Sequence, residues 1–110
     1  RLLSGSTSGR QIKVTGTTTG SSVTLHTAHA TALDLVWLFA HNSDTVDRLL
    51  TIEWGGTTSP DDLFKVNIPA GERVGVCSGD MLTGGLAIKA FGAAANVLHV
   101  SGYVERLTSQ

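Results

Sequence analysis

The sequence predicts an all-β fold: an antiparallel β-sandwich or jelly-roll-like barrel of about eight strands, with an extended N-terminal arm. Three observations predict it. Apolar residues, many of them Val or Ile, recur at every second position, which is the period of a half-buried strand. Turn-forming residues separate these segments at intervals of roughly 8–14 residues. Finally, 13 glycines and a charged fraction of only 15% are typical of a folded, turn-rich protein.

The first ten residues are small and polar apart from Leu2 and Leu3. Such a segment buries little apolar area, so it fits either a frayed terminus or an arm that lies on a neighbouring subunit. In the second interpretation Leu2 and Leu3 anchor the arm and Arg10 helps to fasten it. We therefore divide the chain into a flexible N-terminal arm, residues 1–10, and a single β-sandwich domain, residues 11–110.

The first strands of the domain are short. Ile12 and Val14 alternate with polar residues, and Val23 and Leu25 do the same after a turn at residues 17–21. These two segments predict the first and second strands. The next segment, 27–32, fits either a loop or one helical turn.

Two longer apolar segments form the middle of the chain. Residues 34–41 are a near-continuous apolar run, as expected of a central strand that is buried on both faces. Residues 48–54 alternate instead and place three apolar side chains on one face: Leu50, Ile52 and Trp54.

Four further strands complete the prediction, at residues 62–68, 73–77, 86–91 and 97–107. In the first of them the inward side chains are Phe64, Val66 and Ile68. Pro69 and Gly71 form a tight corner, and the glycines around residues 78–85 predict further turns. Because the connections are short, hairpins between neighbouring strands are favoured over crossover helices.

Charge and cysteine content exclude several classes of function. Eight Lys and Arg against nine Asp and Glu give a net charge of −1, without any basic run that would neutralise several phosphates. No stretch reaches the roughly 18 apolar residues of a membrane span, and the first residues lack the apolar core of a secretory signal. Cys77 is the only cysteine, which is compatible with assembly in a reducing cytoplasm. We expect neither nucleic acid nor a membrane as a partner.

The candidate chemical residues form no catalytic pattern. The four histidines are His26, His29, His41 and His99. His26 and His29 have ligand-like spacing only if residues 27–32 are helical, and no Cys or Glu nearby completes a metal site. The carboxylates Asp44, Asp47, Glu53, Asp61 and Asp62 are expected to be solvated or to cap turns. Cys77 is expected to be a buried, inert thiol. The sequence thus predicts no enzyme and no cofactor or metal.

The aromatic residues leave two alternatives open. Most occupy strand positions that predict a place in the core, but Trp37 or Phe39 on an exposed face would anchor an oligomer interface. Alternatively, an exposed Trp37 or Trp54 would stack on sugar rings, as in a carbohydrate-binding module.

Several stretches of this sequence resemble small virion structural proteins of tailed bacteriophages. They are residues 38–56, 61–63, 68–71, 87–97 and 101–106, so that the resemblance covers most of the chain from about Gln11 onward.

The resemblance implies a component of the phage particle, and capsid decoration (cement) is the role that we favour. Such a protein, often a trimer, lies on the capsid surface and locks neighbouring major capsid proteins together. A neck, tail or head-fibre role is the alternative. In either role we expect assembly in the host cytoplasm and a homo-oligomer, with a trimer favoured.

Overall fold

The protein folds as a sandwich of two antiparallel four-stranded sheets, as seen in a computed structural model that describes residues 1–107. The predicted domain runs to Gln110, and its last three residues lie outside this range. A short 3-10 helix, Thr19–Ser21, lies between the first two strands. The eight strands are β1 (Ile12–Val14), β2 (Val23–Thr27), β3 (Leu33–Asn42), β4 (Arg48–Trp54), β5 (Leu63–Ile68), β6 (Arg73–Leu82), β7 (Ala87–Gly92) and β8 (Leu98–Leu107).

The order of the strands is that of a jelly roll. The first sheet has the order β1-β8-β3-β6 and the second sheet the order β2-β7-β4-β5. Within the described chain, β4 and β5 are the only consecutive strands that pair as a hairpin; every other connection crosses from one sheet to the other. The predicted all-β sandwich is therefore confirmed, whereas the expectation of hairpins between neighbouring strands is wrong for all but one pair. This double-sheet arrangement is one of the standard ways to cover sheet faces in antiparallel proteins.

The core lies between the two sheets and is made of the inward half of each alternating strand. Its side chains are mostly Leu, Ile and Val with almost no exposed surface. Fully buried examples from the two sheets are Val36, Leu38, Val100, Leu50 and Ile88. As predicted, Ile68 is buried, and Phe64 and Val66 pack against the core.

Burial of the two central strands differs from the prediction. β3 alternates strictly, with Val36, Leu38 and Ala40 buried and the residues between them half-buried on the outside of the sandwich. The apolar run therefore supplies one core face and one outer face, so burial on both faces is wrong for this strand. It is residues 50–53 of β4 that are enclosed on both sides, because Thr51 and Glu53 on the outer face are only 4% and 1% exposed, whereas Leu49 on that face is 39% exposed.

The segment around residues 78–80 is a β-bulge within β6 and not a turn. The register of β6 against β3 shifts there, between Val36 and Trp37. Gly79 has φ +76°, a left-handed conformation that glycine adopts without a steric penalty. The open alternative at residues 27–32 is also resolved, since residues 28–32 form a loop without helical structure.

The predicted extended N-terminal arm is not confirmed. Leu3 is 1% exposed and belongs to the core of its own sandwich. The Gly5 amide donates a hydrogen bond to the Leu25 carbonyl (2.9 Å), and Arg1 exchanges backbone hydrogen bonds with Val104. The physical reason is that the core leaves room for one leucine and the edges of two strands offer free backbone groups.

Candidate functional site

An apolar surface covers part of the outside of the first sheet. We call it the aromatic face and define it by the apolar outward side chains of three adjacent strands: Leu33, Leu35, Trp37 and Phe39 of β3, Met81 of β6, and Tyr103 and Leu107 of β8. The exposed Glu105, opposite Leu35 on β8, interrupts it. Three of its apolar side chains are among the most exposed large apolar residues of the described chain, namely Met81 at 59%, Tyr103 at 46% and Leu107 at 44%. Because the core faces the other way, nothing within the sandwich requires these side chains to be apolar.

Two aromatic rings form the centre of the aromatic face. Trp37 and Tyr103 lie directly opposite each other on β3 and β8, and their rings stack at 5.0 Å with an interplanar angle of 8°. A Cβ atom at Gly79 would lie 3.1 Å from the Trp37 ring, so the glycine lets β6 lie close beside the indole. Leu2, which is 52% exposed, pairs with Tyr103 through an isolated bridge and extends the apolar surface.

Basic groups gather at one end of the aromatic face. The Arg73 guanidinium lies 4.8 Å from the centroid of the Phe39 ring, which is a cation–π contact. The rings of His41 and His99 stack at 6.1 Å, and Lys13 lies beside His99 in the β1–β8 register. The pKa of His99 is lowered, first by burial and then by the charges of His41 and Lys13. This end of the face is thus suited to acidic side chains of a partner.

A buried ion-pair network lies at the opposite end of the sandwich. Asp34 has no exposed surface; its carboxylate accepts hydrogen bonds of 2.7 and 3.0 Å from Arg106 and lies 2.7 Å from His26 Nε2. The hydrogen bonds from Arg106 and His26 hold the pKa of Asp34 well below its usual value, although burial acts in the other direction. Asp34 therefore remains ionised and joins β2, β3 and β8.

The network also includes Ser4, so that Ser, His and Asp come together as in a hydrolase triad. However, His26 Nδ1 accepts a hydrogen bond from the Ser4 backbone amide (2.9 Å), and the Ser4 hydroxyl oxygen accepts one from the Thr27 amide (2.7 Å). The proton of His26 is consequently on Nε2, where it is donated to Asp34. A triad needs the histidine to accept a proton from the hydroxyl itself, and here the nitrogen that would do so is occupied.

The remaining histidines and carboxylates are dispersed. His29 Nδ1 accepts amide hydrogen bonds from its own loop, and His41 and His99 are on the outer surface of the first sheet, remote from His26 in the fold. Within residues 1–107, no group of three or more His, Cys, Asp or Glu side chains is arranged to hold a metal ion.

Asp44 and Asp62 cap turns as predicted. Asp44 accepts a hydrogen bond of 2.7 Å from the Thr45 amide and pairs with Arg48 at the same distance. Asp62 accepts a longer bond of 3.2 Å from the Thr58 amide.

Cys77 is buried on the inner side of β6. Its Sγ atom lies 3.4 Å from the Val36 carbonyl oxygen. Burial, together with the nearby Asp80, raises the pKa of the thiol to about 12. The thiolate form is therefore scarce at neutral pH, which fits the predicted unreactive thiol.

A second site, which no sequence pattern predicts, lies on the outside of the second sheet. A cleft of about 550 Å³ is lined by side chains of β4, β5 and β7, by the β1–β2 connection and by the β4–β5 loop. Next to it, a cavity of about 130 Å³ is lined by Glu53, Lys89 and the β4–β5 loop. The expectation that Glu53 is solvated or caps a turn is wrong, because it is 1% exposed within β4. In the sequence it alternates like any solvent-facing strand residue, so no signal there indicates its burial.

The three residues predicted to bind a partner lie in different surroundings. Leu2 is exposed beside the aromatic face, Leu3 is buried in the core, and Arg10 is exposed at the end of the N-terminal segment, where its amide donates to the Thr7 carbonyl. Leu2 reaches the aromatic face through its bridge to Tyr103, and the neighbours of Arg10 in the chain, Gly9 and Gln11, line a groove with Phe39 and Tyr103.

Comparison with known proteins identifies no relative: no protein-family model, no curated protein and no solved structure matches this chain. Among residues 1–107, no helix is long and apolar enough to cross a membrane.

Proposed function

We propose that this protein is a non-enzymatic structural subunit of a tailed-phage particle, and that it decorates the capsid surface by binding the major capsid protein. The observation that carries the proposal is the aromatic face, an apolar surface on a rigid sheet with no partner in the sandwich. Exposed apolar patches rimmed by polar residues commonly mark the contact surfaces of proteins.

The composition of the aromatic face supports binding to protein. Trp and Tyr are enriched among the residues that dominate interface energies, and Trp37 and Tyr103 lie together at its centre. Because they stack on each other and are mounted on paired strands, little side-chain freedom remains to be lost on binding. Arg73 and Lys13 at one end add an electrostatic preference for an acidic partner surface.

Fold and sequence resemblance support the virion setting. Jelly-roll sandwiches occur in viral capsid and lectin domains. The resemblance to small phage virion proteins spans most of the chain. A trimer around a local symmetry axis would present three aromatic faces at once, so that weak single contacts would add through avidity.

Only part of the N-terminal segment is available to a partner. Since Leu3 packs inside its own sandwich, it serves the fold in this conformation. Leu2 is exposed next to Tyr103 and extends the proposed contact surface. Arg10, also exposed, is available to an acidic group of the partner.

The test is the number of copies of this chain per particle. Particles from cells that carry its gene are purified on a density gradient, and the chain is quantified by mass spectrometry against the most abundant shell protein. Near-equal copy numbers, or one trimer per local threefold axis, are expected. A copy number that fits a single ring would support the neck, tail or head-fibre alternative instead. Absence of the chain from the particles would overturn the virion proposal.

A further inference from the structure

The outer face of β4 contains a buried carboxylate with an unused oxygen. Glu53 is 1% exposed, and its Oε2 atom accepts a hydrogen bond from the Thr19 hydroxyl. Its Oε1 atom accepts no hydrogen bond within residues 1–107. Leaving a buried polar atom without a partner costs free energy, and a charged one costs more, so a hydrogen-bond donor is expected to occupy this position.

Space for such a donor lies beside Glu53. The cavity of about 130 Å³ that it lines is also lined by Lys89, which is directly opposite Glu53 on β7, and by Thr57. Thr57 also lines the cleft of about 550 Å³ next to it, so the two spaces share a boundary. The larger volume is within the range of roughly 300–1,000 Å³ that is usual for ligand sites, and the smaller one holds about four waters at roughly 30 Å³ each.

The charges around the two spaces are of both signs, so they select neither a cation nor an anion. Lys65 and Lys89 disfavour a cation, and the buried Glu53 carboxylate disfavours an anion. Both signs of charge, however, favour a ligand that donates and accepts hydrogen bonds at closely spaced positions. The hydroxyls of Thr17, Thr19, Thr51, Thr57 and Ser59 add more groups of the same dual kind.

One apolar surface completes the cleft. Phe91 lines it and is half-buried, on the same outer face of the sheet as Lys89. A pyranose ring has an apolar C–H face and a rim of hydroxyl groups, which matches an aromatic ring beside hydroxyls and a carboxylate.

We infer that this cleft binds a neutral saccharide, with the ring lying against Phe91 in the larger space and a sugar hydroxyl reaching the smaller cavity that Glu53 and Lys89 line. The site is on the second sheet, opposite the aromatic face, so saccharide and protein partner would bind at the same time. It involves neither tryptophan, although an exposed tryptophan is what the sequence analysis expected of a sugar site.

The experiment is a titration followed by ¹H–¹⁵N NMR with four probes: D-glucose, D-galactose, N-acetyl-D-glucosamine and L-rhamnose. At sugar concentrations up to roughly 20 mM, a Kd of about 1 mM or tighter gives saturable shifts. At least one probe is expected to shift the amides of Glu53, Thr57, Lys89 and Phe91. Glu53→Gln removes the carboxylate and is expected to raise the Kd about tenfold or more.

Matched variants show whether a change in Kd arises from the cleft or from the loss of any negative charge. Glu105→Gln makes the same change on an exposed residue of β8 and is expected to leave the Kd unchanged. If Glu53→Gln does not fold, Thr57→Val serves instead, because it removes an exposed hydroxyl at nearly constant shape.

Three results would overturn the inference. One is the absence of saturable shifts with all four sugars. The second is shifts centred on Trp37 or Trp54 instead of Phe91. The third is unchanged affinity in both cleft variants. None of these results depends on the copy number in particles. The proposed structural role is therefore tested independently of saccharide binding.

Discussion

At the scale of single residues, the Asp34 carboxylate links several segments that are far apart in the sequence. No pattern in the sequence predicts these contacts. Its carboxylate accepts hydrogen bonds from Arg106 on β8 and from the His29 amide in the loop after β2, and it pairs with His26. Through His26 it also reaches the Ser4 amide. One buried charge thus fixes the position of the N-terminal segment relative to the last strand.

Asp34→Asn is expected to destabilise the protein by about 1.5–3 kcal/mol at neutral pH, because the buried position loses its charge-assisted hydrogen bonds from the half-buried Arg106 guanidinium. Native hydrogen bonds lower the pKa of Asp34 below that of the unfolded chain, so its stabilisation is complete above about pH 5. It is lost as the pH falls from about 4 towards the native pKa. Urea unfolding at the two ends of this range measures the effect.

The wild-type and Asp34→Asn proteins should therefore become more similar in stability in acid. Asp61→Asn, an exposed residue of the β4–β5 loop, is the control and should change little at either pH. A difference between wild type and Asp34→Asn that stays constant down to acid pH would contradict the role assigned to this carboxylate.

Leu2 and Leu3 are adjacent in sequence but differ in environment. Leu3→Ala removes a side chain that is 1% exposed in the core and should cost about 2–5 kcal/mol. Leu2→Ala, at 52% exposure, is the matched control and should change stability by about 0.5 kcal/mol or less. Thermal unfolding of both variants gives the comparison. Equal, small losses would show that the N-terminal segment is not anchored as described here.

At the scale of elements, the sequence predicts the strands well because β-branched residues at every second position indicate extended backbone. β4, predicted at residues 48–54, is found there, and β1, β3 and β5 differ by at most a residue at either end. The sheet to which each strand belongs is set by pairing across the whole chain, and no local pattern contains that information. This is why neighbouring strands were expected to form hairpins.

The sequence predicts the two candidate surfaces to different extents. Trp37 and Phe39 were recognised as interface candidates from their residue type alone. Their outward direction, however, follows from the register of β3 between β6 and β8. The site at Glu53 was not found, because its burial arises from the Thr19–Ser21 helix, a contact between segments far apart in the sequence.

Gly79 allows β6 to contain a β-bulge, because glycine adopts a positive φ without a steric penalty. Gly79→Ala should cost about 1–2 kcal/mol, since φ +76° is unfavourable for residues with a Cβ atom. The Trp37 ring, 3.1 Å from that Cβ position, would add to the cost. Gly75→Ala is the control on the same strand, where a Cβ atom meets nothing within 4 Å. Chemical denaturation of the two variants should separate them clearly; equal stabilities would contradict the bulge.

At the scale of the whole molecule, the sandwich separates two surfaces by a core. The aromatic face is on the first sheet, and the cleft beside Glu53 is on the second. A particle protein that attaches through one face would leave the other exposed to the surroundings. The two proposals are therefore compatible in geometry while depending on different residues.

Met81→Glu is expected to abolish attachment to particles, since it places a charge on the aromatic face at a residue that is 59% exposed and not needed for folding. Val46→Glu introduces the same charge at a residue that is 50% exposed in the β3–β4 connection, and it should attach normally. Co-sedimentation with particles that lack the chain measures both. If the two variants attach equally, the aromatic face is not the contact surface.

The pairing of β1 with β8 has a consequence for how the protein is made. Ile12 lies opposite Val100, so the first sheet cannot close until the residues of β8 have left the ribosome. Folds dominated by such distant pairings fold slowly, in roughly milliseconds to seconds, and keep apolar strands unprotected meanwhile. During that interval the apolar side chains of β3 are open to chaperones and to aggregation, and low temperature during expression should raise the yield of folded protein.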